Sequence, residues 1–255
     1  MKKLLCAAAG AALLFTACKK DDTDKPNPGN GSGNTKVLKK LTKTEDGQTT
    51  VYNFTYDANG RLTSYKSTDN TEQLVFTYDG SGNVVKVEED DADFKVVYTY
   101  TYNNGKPVSG TFKSWEKNGT ALGDLIEDDI LTYTLENDLV TKIHLNMTQD
   151  GEEVDFKLSY TNGNLTKVET VGSDFYSAAF VYGTKKAPFP KLSKYVLDHA
   201  GFSLQFFAKN EMLSATYDFP GTLLDRTITT QYTYDAAGYP LTANDGETQF
   251  KFEYQ

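Results

Sequence analysis

One unit constrains what this chain can become: Tyr52-Asn53-Phe54-Thr55-Tyr56-Asp57-Ala58-Asn59-Gly60-Arg61-Leu62-Thr63-Ser64-Tyr65. Aromatic residues hold alternate positions, an Asp-to-Gly turn interrupts them, and alternation resumes after a basic residue and a Leu. The unit returns at Leu74–Val85 and, more loosely, at Gln231–Leu241. Side chains along a strand point alternately to its two faces, so Tyr52, Phe54 and Tyr56 share one face and Asn53 and Thr55 the other. The same division holds for Leu74, Phe76 and Tyr78, for Tyr98, Tyr100 and Tyr102, for Leu131, Tyr133 and Leu135, for Phe156, Leu158 and Tyr160, and for Phe250, Phe252 and Tyr254. One aromatic face and one of Thr, Ser and Lys predict an antiparallel sheet that is buried on one side and wet on the other.

Corresponding tyrosines recur at 22 residues (Tyr56 to Tyr78), 24 (Tyr78 to Tyr102), 22 (Tyr160 to Tyr182) and 20 (Tyr234 to Tyr254), which is room for two strands and two turns. Asn104-Gly105 and Asn162-Gly163 suit two-residue hairpins that need positive φ, while Asp57–Gly60, Asp79–Gly82 and Asp235–Gly238 suit type I turns closed by a Gly bulge. The expected fold is all-β, a meander of about fourteen to sixteen antiparallel strands. A flat sheet of that size would leave its aromatic face in water, so it should roll into a barrel or half-barrel with the aromatic side inward. Two segments break the rhythm. Trp115–Asp129 adds length between repeats, with Lys117-Asn118-Gly119 as a turn; a short helix or loop near 187–200, begun at Pro188 and broken by Gly201, should cover one end.

The ends of the chain speak to location. Residues 1–17 carry Lys2 and Lys3, an apolar run from Leu4 to Phe15 and then small residues, the layout of a signal peptide that is removed. Leu14-Phe15-Thr16-Ala17-Cys18 resembles a bacterial lipobox, which implies acylation of Cys18 and a membrane partner through that lipid anchor. Lys19-Lys20-Asp21-Asp22-Thr23-Asp24 resembles the signal that exports Bacteroidetes lipoproteins to the outer face of the outer membrane. Residues 18–36 read as the lipidated Cys and an acidic, Gly-Pro-Asn-rich linker, and residues 37–255 as one barrel-like domain.

Most chemistries are excluded. The net charge is −9, and −11 once Lys2 and Lys3 are removed, which repels phosphate backbones and anionic membrane surfaces and makes nucleic acid an unsuitable partner. Both cysteines, Cys6 and Cys18, lie ahead of the domain, so it holds no disulfide and no cysteine-based metal site. His144 and His199 stand alone and read as structural or solvated; neither the zinc motif HExxH nor the serine elbow GxSxG occurs. Glu88-Glu89-Asp90-Asp91-Ala92-Asp93 reads as a solvated hairpin tip without the spacing of a calcium loop. No cofactor, metal site or catalytic residue is expected. Trp115, the single tryptophan, is the candidate ligand-binding residue, able to stack on a sugar or a peptide aromatic if exposed.

The Tyr56-Asp57-Ala58-Asn59-Gly60-Arg61-Leu62 unit and its echoes resemble YD repeats of the Rhs type. From Val37 to Gln255, including Tyr182-Gly183-Thr184-Lys185-Lys186-Ala187-Pro188-Phe189 between two runs of hairpins, the chain resembles a Bacteroidetes lipoprotein family of unknown function. That resemblance implies a porin-like fold and no activity. The expected role is a non-catalytic cell-envelope lipoprotein of the outer membrane that binds a glycan or an envelope protein through its loops. The alternatives are a carboxylate-dependent enzyme acting on glycans and an outer-membrane pore.

Overall fold

The computed structural model describes residues 36–172, 175–198 and 201–255. The leader, Cys18, the linker up to residue 35 and His199 lie outside the described residues. The first half of the sheet comprises β1 (Leu38–Glu45), β2 (Gln48–Tyr56), β3 (Leu62–Ser67), β4 (Gln73–Tyr78), β5 (Val84–Asp90), β6 (Phe94–Asn103), β7 (Lys106–Asn118), β8 (Ala121–Glu136) and β9 (Leu139–Met147). The second comprises β10 (Glu152–Thr161), β11 (Asn164–Val171), β12 (Ser177–Lys186), β13 (Asn210–Asp218), β14 (Arg226–Thr229), β15 (Gln231–Tyr234), β16 (Pro240–Asn244) and β17 (Thr248–Tyr254), with one short helix, α1 (Gly201–Phe206), between β12 and β13. Each strand pairs antiparallel with its sequence neighbour from β1 to β14 and from β15 to β17, and β17 returns to pair with β1 in the register Leu41 to Phe252. The meander therefore rolls into a nearly closed barrel.

Seventeen strands among the described residues exceed the expected number because β14 and β15 are two halves of one crossing, split at Thr230. The first half pairs with β13 and the second with β16. The wall changes partner there, which leaves a seam.

Why the Tyr-Asp unit folds this way is visible in its hydrogen bonds. The register slips between Thr55 and Tyr56, between Thr77 and Tyr78 and between Thr233 and Tyr234, so a β-bulge ends each strand at the tyrosine. The next residue caps the turn: Asp57 Oδ1 accepts the N–H of Asn59 and of Arg61, Asp79 Oδ1 those of Ser81 and Asn83, and Asp235 Oδ1 those of Ala237 and Tyr239. Gly60, Gly82 and Gly238 then take φ of 76°, 85° and 78°, conformations a side chain disfavours. The bulged tyrosine turns inward and its hydroxyl bonds back to the start of an earlier strand: Tyr56 to Leu38 O (2.6 Å), Tyr78 to Leu62 O (2.6 Å), Tyr102 to Val84 O (2.8 Å) and Tyr160 to Val140 O (2.6 Å). Each repeat is thus locked to the one before it.

Alternation sorts the two faces as the sequence predicts. Tyr52, Phe54, Leu74, Phe76, Tyr100, Leu131, Phe156, Leu158, Phe250 and Phe252 are buried in a single core. The outer wall carries threonine pairs such as Thr99–Thr111 (2.7 Å) and Thr233–Thr242 (2.6 Å), and ion pairs such as Lys113–Asp128 (3.0 Å), Lys142–Asp155 (2.6 Å) and Lys167–Glu169 (2.5 Å). The wall is thus polar and ion-paired.

The segment between β12 and β13 fills the lumen. Phe189 packs against Phe54 and Phe252, Phe206 against Tyr65 and Phe76, Phe202 against Tyr98 and Tyr100, and Phe207 against Tyr160. Tyr195, Val196 and Leu197 are buried, and the Tyr133 hydroxyl reaches Leu197 O (2.7 Å). This plug does more than cover an end, because it touches wall strands from β2 round to β17. Its helix is also later than expected. Residues 187–198 are irregular, and α1 begins at Gly201 because buried Asp198 supplies the acceptor for the Ser203 N–H (3.1 Å) and Oγ–H (2.6 Å). The added length of Trp115–Asp129 is strand on both sides of a turn at Gly119, next to the expected Lys117-Asn118-Gly119. It continues the β7–β8 ladder, with Ser114 opposite Glu127 and Asn118 opposite Ala121.

Candidate functional site

Strand direction gives the barrel two unlike ends. The Tyr-Asp turns, the β12–β13 plug, Val37 and Gln255 gather at one; the β1–β2, β3–β4, β5–β6 and β7–β8 turns gather at the other. The β7–β8 hairpin overreaches that second end, because β9 stops opposite Asp129 while β8 continues back to Ala121.

Acids line this second mouth from the inside. Asp129 sits in register between Phe112 and Met147, both buried, and is itself only 7 % exposed. Burial first, then Glu127, Asp128 and Asp150, push its carboxyl up to about 7. Glu89 lies opposite Leu74 and Val96, crowded by the wall yet still open to solvent; burial, Asp91 and Glu72 push it up to about 7. Glu127 accepts a hydrogen bond from Ser114 Oγ (2.9 Å), and Glu72 accepts one from Tyr52. Glu72 and Glu89 both act on Tyr65, and Glu89 and Glu127 both act on Tyr98. The mouth is therefore edged by carboxylates backed by core-packed tyrosines, and the carboxylates can accept hydrogen bonds from hydroxyl or ammonium groups. With Asp129 and Glu89 near 7, it also holds protons that a surface carboxylate would have lost.

The sequence reading missed this set by treating the acid-rich stretches as solvated tips. The signal was the parity itself: Asp129 and Glu127 precede Leu131, Tyr133 and Leu135 by even steps and so belong to the inner face. Trp115 is not part of the mouth. It lies on the outer face of β7, half-buried, opposite Lys95 and Leu125. His144 also faces outward, its Nδ1 2.9 Å from Asp155 Oδ1, within the ion network of Lys142. Among the described residues no three of His, Cys, Asp and Glu are placed to hold a metal ion.

A recess lies between the plug and the seam, a small cleft of about 60 Å³ lined by Pro188, Phe189, Leu204, Met212, Tyr217 and Tyr232. Beside it, buried Glu211 accepts a hydrogen bond from Tyr234 (3.1 Å) and lies across Gly183, where a Cβ would meet its Oε1 at 2.1 Å.

Comparison with known proteins agrees with this architecture. A family model described as RHS repeat matches residues 56–93, which hold two of the Tyr-Asp turns analysed above. Among solved structures, a porin-like protein from Bacteroides vulgatus superposes with a TM-score of 0.55 at 16 % identity, covering 87 % of this chain and 99 % of that one. The fold is similar to that of a porin-like protein. No curated protein gives a significant sequence match.

Proposed function

We propose that the protein is a lipid-anchored binding module of the cell envelope, held through Cys18 and presenting its acid-edged mouth to a glycan or an envelope protein. A filled lumen inside an ion-paired wall carries this reading. A pore needs an open channel and an apolar outer band, and each Lys turned to lipid at mid-membrane costs about 2–4 kcal/mol. This wall places Lys86, Lys113, Lys142 and Lys167 outward, each paired with a carboxylate. Similarity to a porin-like protein supports an envelope location. The acids at the mouth suit a sugar's hydroxyls.

The test has two arms. Growth with labelled palmitate should label the protein, and Cys18→Ala should abolish the label. A glycan array probed with the protein should give a hit that Glu89→Gln with Asp129→Asn weakens at least about tenfold, which is roughly 1.4 kcal/mol. Silence on the array and in envelope pull-downs would defeat the binding role, and steady conductance in planar bilayers would defeat the filled-barrel premise.

A second reading is a carboxylate-dependent enzyme acting on glycans, with Asp129 or Glu89, each pushed up to about 7 chiefly by burial, as general acid. Hydrolysis of envelope glycans by the wild type, abolished in either single variant, would establish it over simple binding.

A further inference from the structure

The chain enters the barrel at the plug end. Lys36 donates its N–H to Tyr239 Oη (3.0 Å) and pairs through Nζ with Asp235 (2.6 Å), and Val37 and Gln255 exchange backbone hydrogen bonds. Lysines crowd the same place. Lys186 N–H donates to Gly238 O (3.2 Å) and its Nζ lies 3.6 Å from the Tyr239 ring centre; Lys185 borders Gly238; the carbonyl of Lys209 faces the N–H of Ala187; Lys191 caps the Phe207 ring at 4.5 Å. All four are exposed. Among the described residues none of the four makes an ion pair, whereas the lysines of β5, β7, β9, β10 and β11 do. Lys194 and Lys106 add to the same end and share Asp138. The carboxylates at this end are Asp138 and Asp235, engaged by lysines, Asp57, paired with Arg61, Asp79, bonded to Asn83, and Glu136 at the β8–β9 turn. These four lysines thus stand at one end, with Glu89 and Asp129 at the other, in a chain of net charge −9.

We propose that the plug end is a membrane-docking face, on which Lys185, Lys186, Lys191 and Lys209 rest against anionic lipid headgroups while the acidic mouth points away from the bilayer. The inference rests on the lipid-anchor reading, in which the seventeen residues between Cys18 and Lys36 join the body at this end. Charge supplies the orientation. Lysines within a Debye length of an anionic surface are attracted to it, and the acids at the mouth are repelled.

The experiment needs no acylation, so it fails or succeeds apart from the palmitate test. In the full chain with Cys6 and Cys18 replaced by Ala, a single probe cysteine is placed by Thr184→Cys at the plug end or by Thr71→Cys at the mouth. Each labelled protein is mixed with phosphatidylglycerol-containing or pure phosphatidylcholine vesicles bearing a lipid quencher. At about 10 mM salt, where screening reaches about 30 Å, the probe at 184 should be quenched by anionic vesicles and the probe at 71 should not. About 1 M salt should abolish the quenching, and Lys→Gln at 185, 186, 191 and 209 together should weaken apparent binding at least about tenfold. Equal quenching at both ends, quenching indifferent to the four substitutions, or no response to anionic vesicles overturns the proposal. A response of the probe at 184 to inorganic phosphate but not to vesicles overturns it in favour of a soluble anion.

Discussion

Tyrosine and aspartate divide the work of the repeat. Burial pushes the hydroxyl of Tyr78 up to about 12, so it remains a donor at every physiological pH and holds Leu62 O permanently. Tyr78→Phe should cost about 1 kcal/mol in denaturant unfolding, because one buried hydrogen bond is lost with no change of shape. Asp79→Ala should cost about 1–2 kcal/mol by the same measure, since two turn N–H groups and the Asn83 amide lose their acceptor. Gly183 is needed for another reason. A methyl group there would overlap Glu211 Oε1, so Gly183→Ala should lower the melting temperature, and adding Glu211→Ala should recover part of the loss.

Among the elements, the plug has the most far-reaching contacts. Phe206 lies 5.3 Å from Phe189, 5.4 Å from Phe76 and 6.1 Å from Tyr65, joining the insertion to two strands of the wall. Phe206→Ala should cost about 3–5 kcal/mol in equilibrium unfolding while leaving the far-ultraviolet β signal in place, because the strands keep their own hydrogen bonds. The β8–β9 turn shows how the plug shapes the wall. Asp138 takes φ of 63°, where Gly is the easier residue, and its carboxylate receives the Tyr195 hydroxyl (3.0 Å) and Lys194 (3.1 Å). Its side chain ties hairpin to plug, which a glycine could not do.

For the whole molecule, pH acts in opposite senses on its two acid populations. Hydrogen bonds hold Asp57 below the ordinary carboxylate range, as they do Asp79, while Lys142 does so for Asp155 and Lys167 for Glu169. Their stabilisation is present above about pH 4 and is lost as pH falls through their folded values. Asp129 does the reverse. Its folded value of about 7 exceeds the unfolded one, so the folded chain binds the proton more tightly and stability declines as pH rises from about 4 to about 7. Thermal unfolding should therefore show its highest midpoint between about pH 4 and 6. Asp129→Asn should raise the midpoint at pH 8 and leave it nearly unchanged at pH 4.

Local stereochemistry is written residue by residue, and so the hairpins, their Asn-Gly and Asp-to-Gly turns and the inward aromatic face were all legible in the linear chain. A turn needs only its own residues to take positive φ, and a strand's two faces follow from alternation alone. What the linear pattern left open depends on partners far apart. The return of β17 to β1, the handover at Thr230 and the entry of the plug into the lumen rest on contacts such as Leu41 with Phe252 and Tyr133 with Leu197. Charge placement follows the same division. The acids of the mouth and the lysines of the plug end are scattered along the sequence, and only the rolling of the sheet carries them to opposite ends, because closure sets which turns become neighbours.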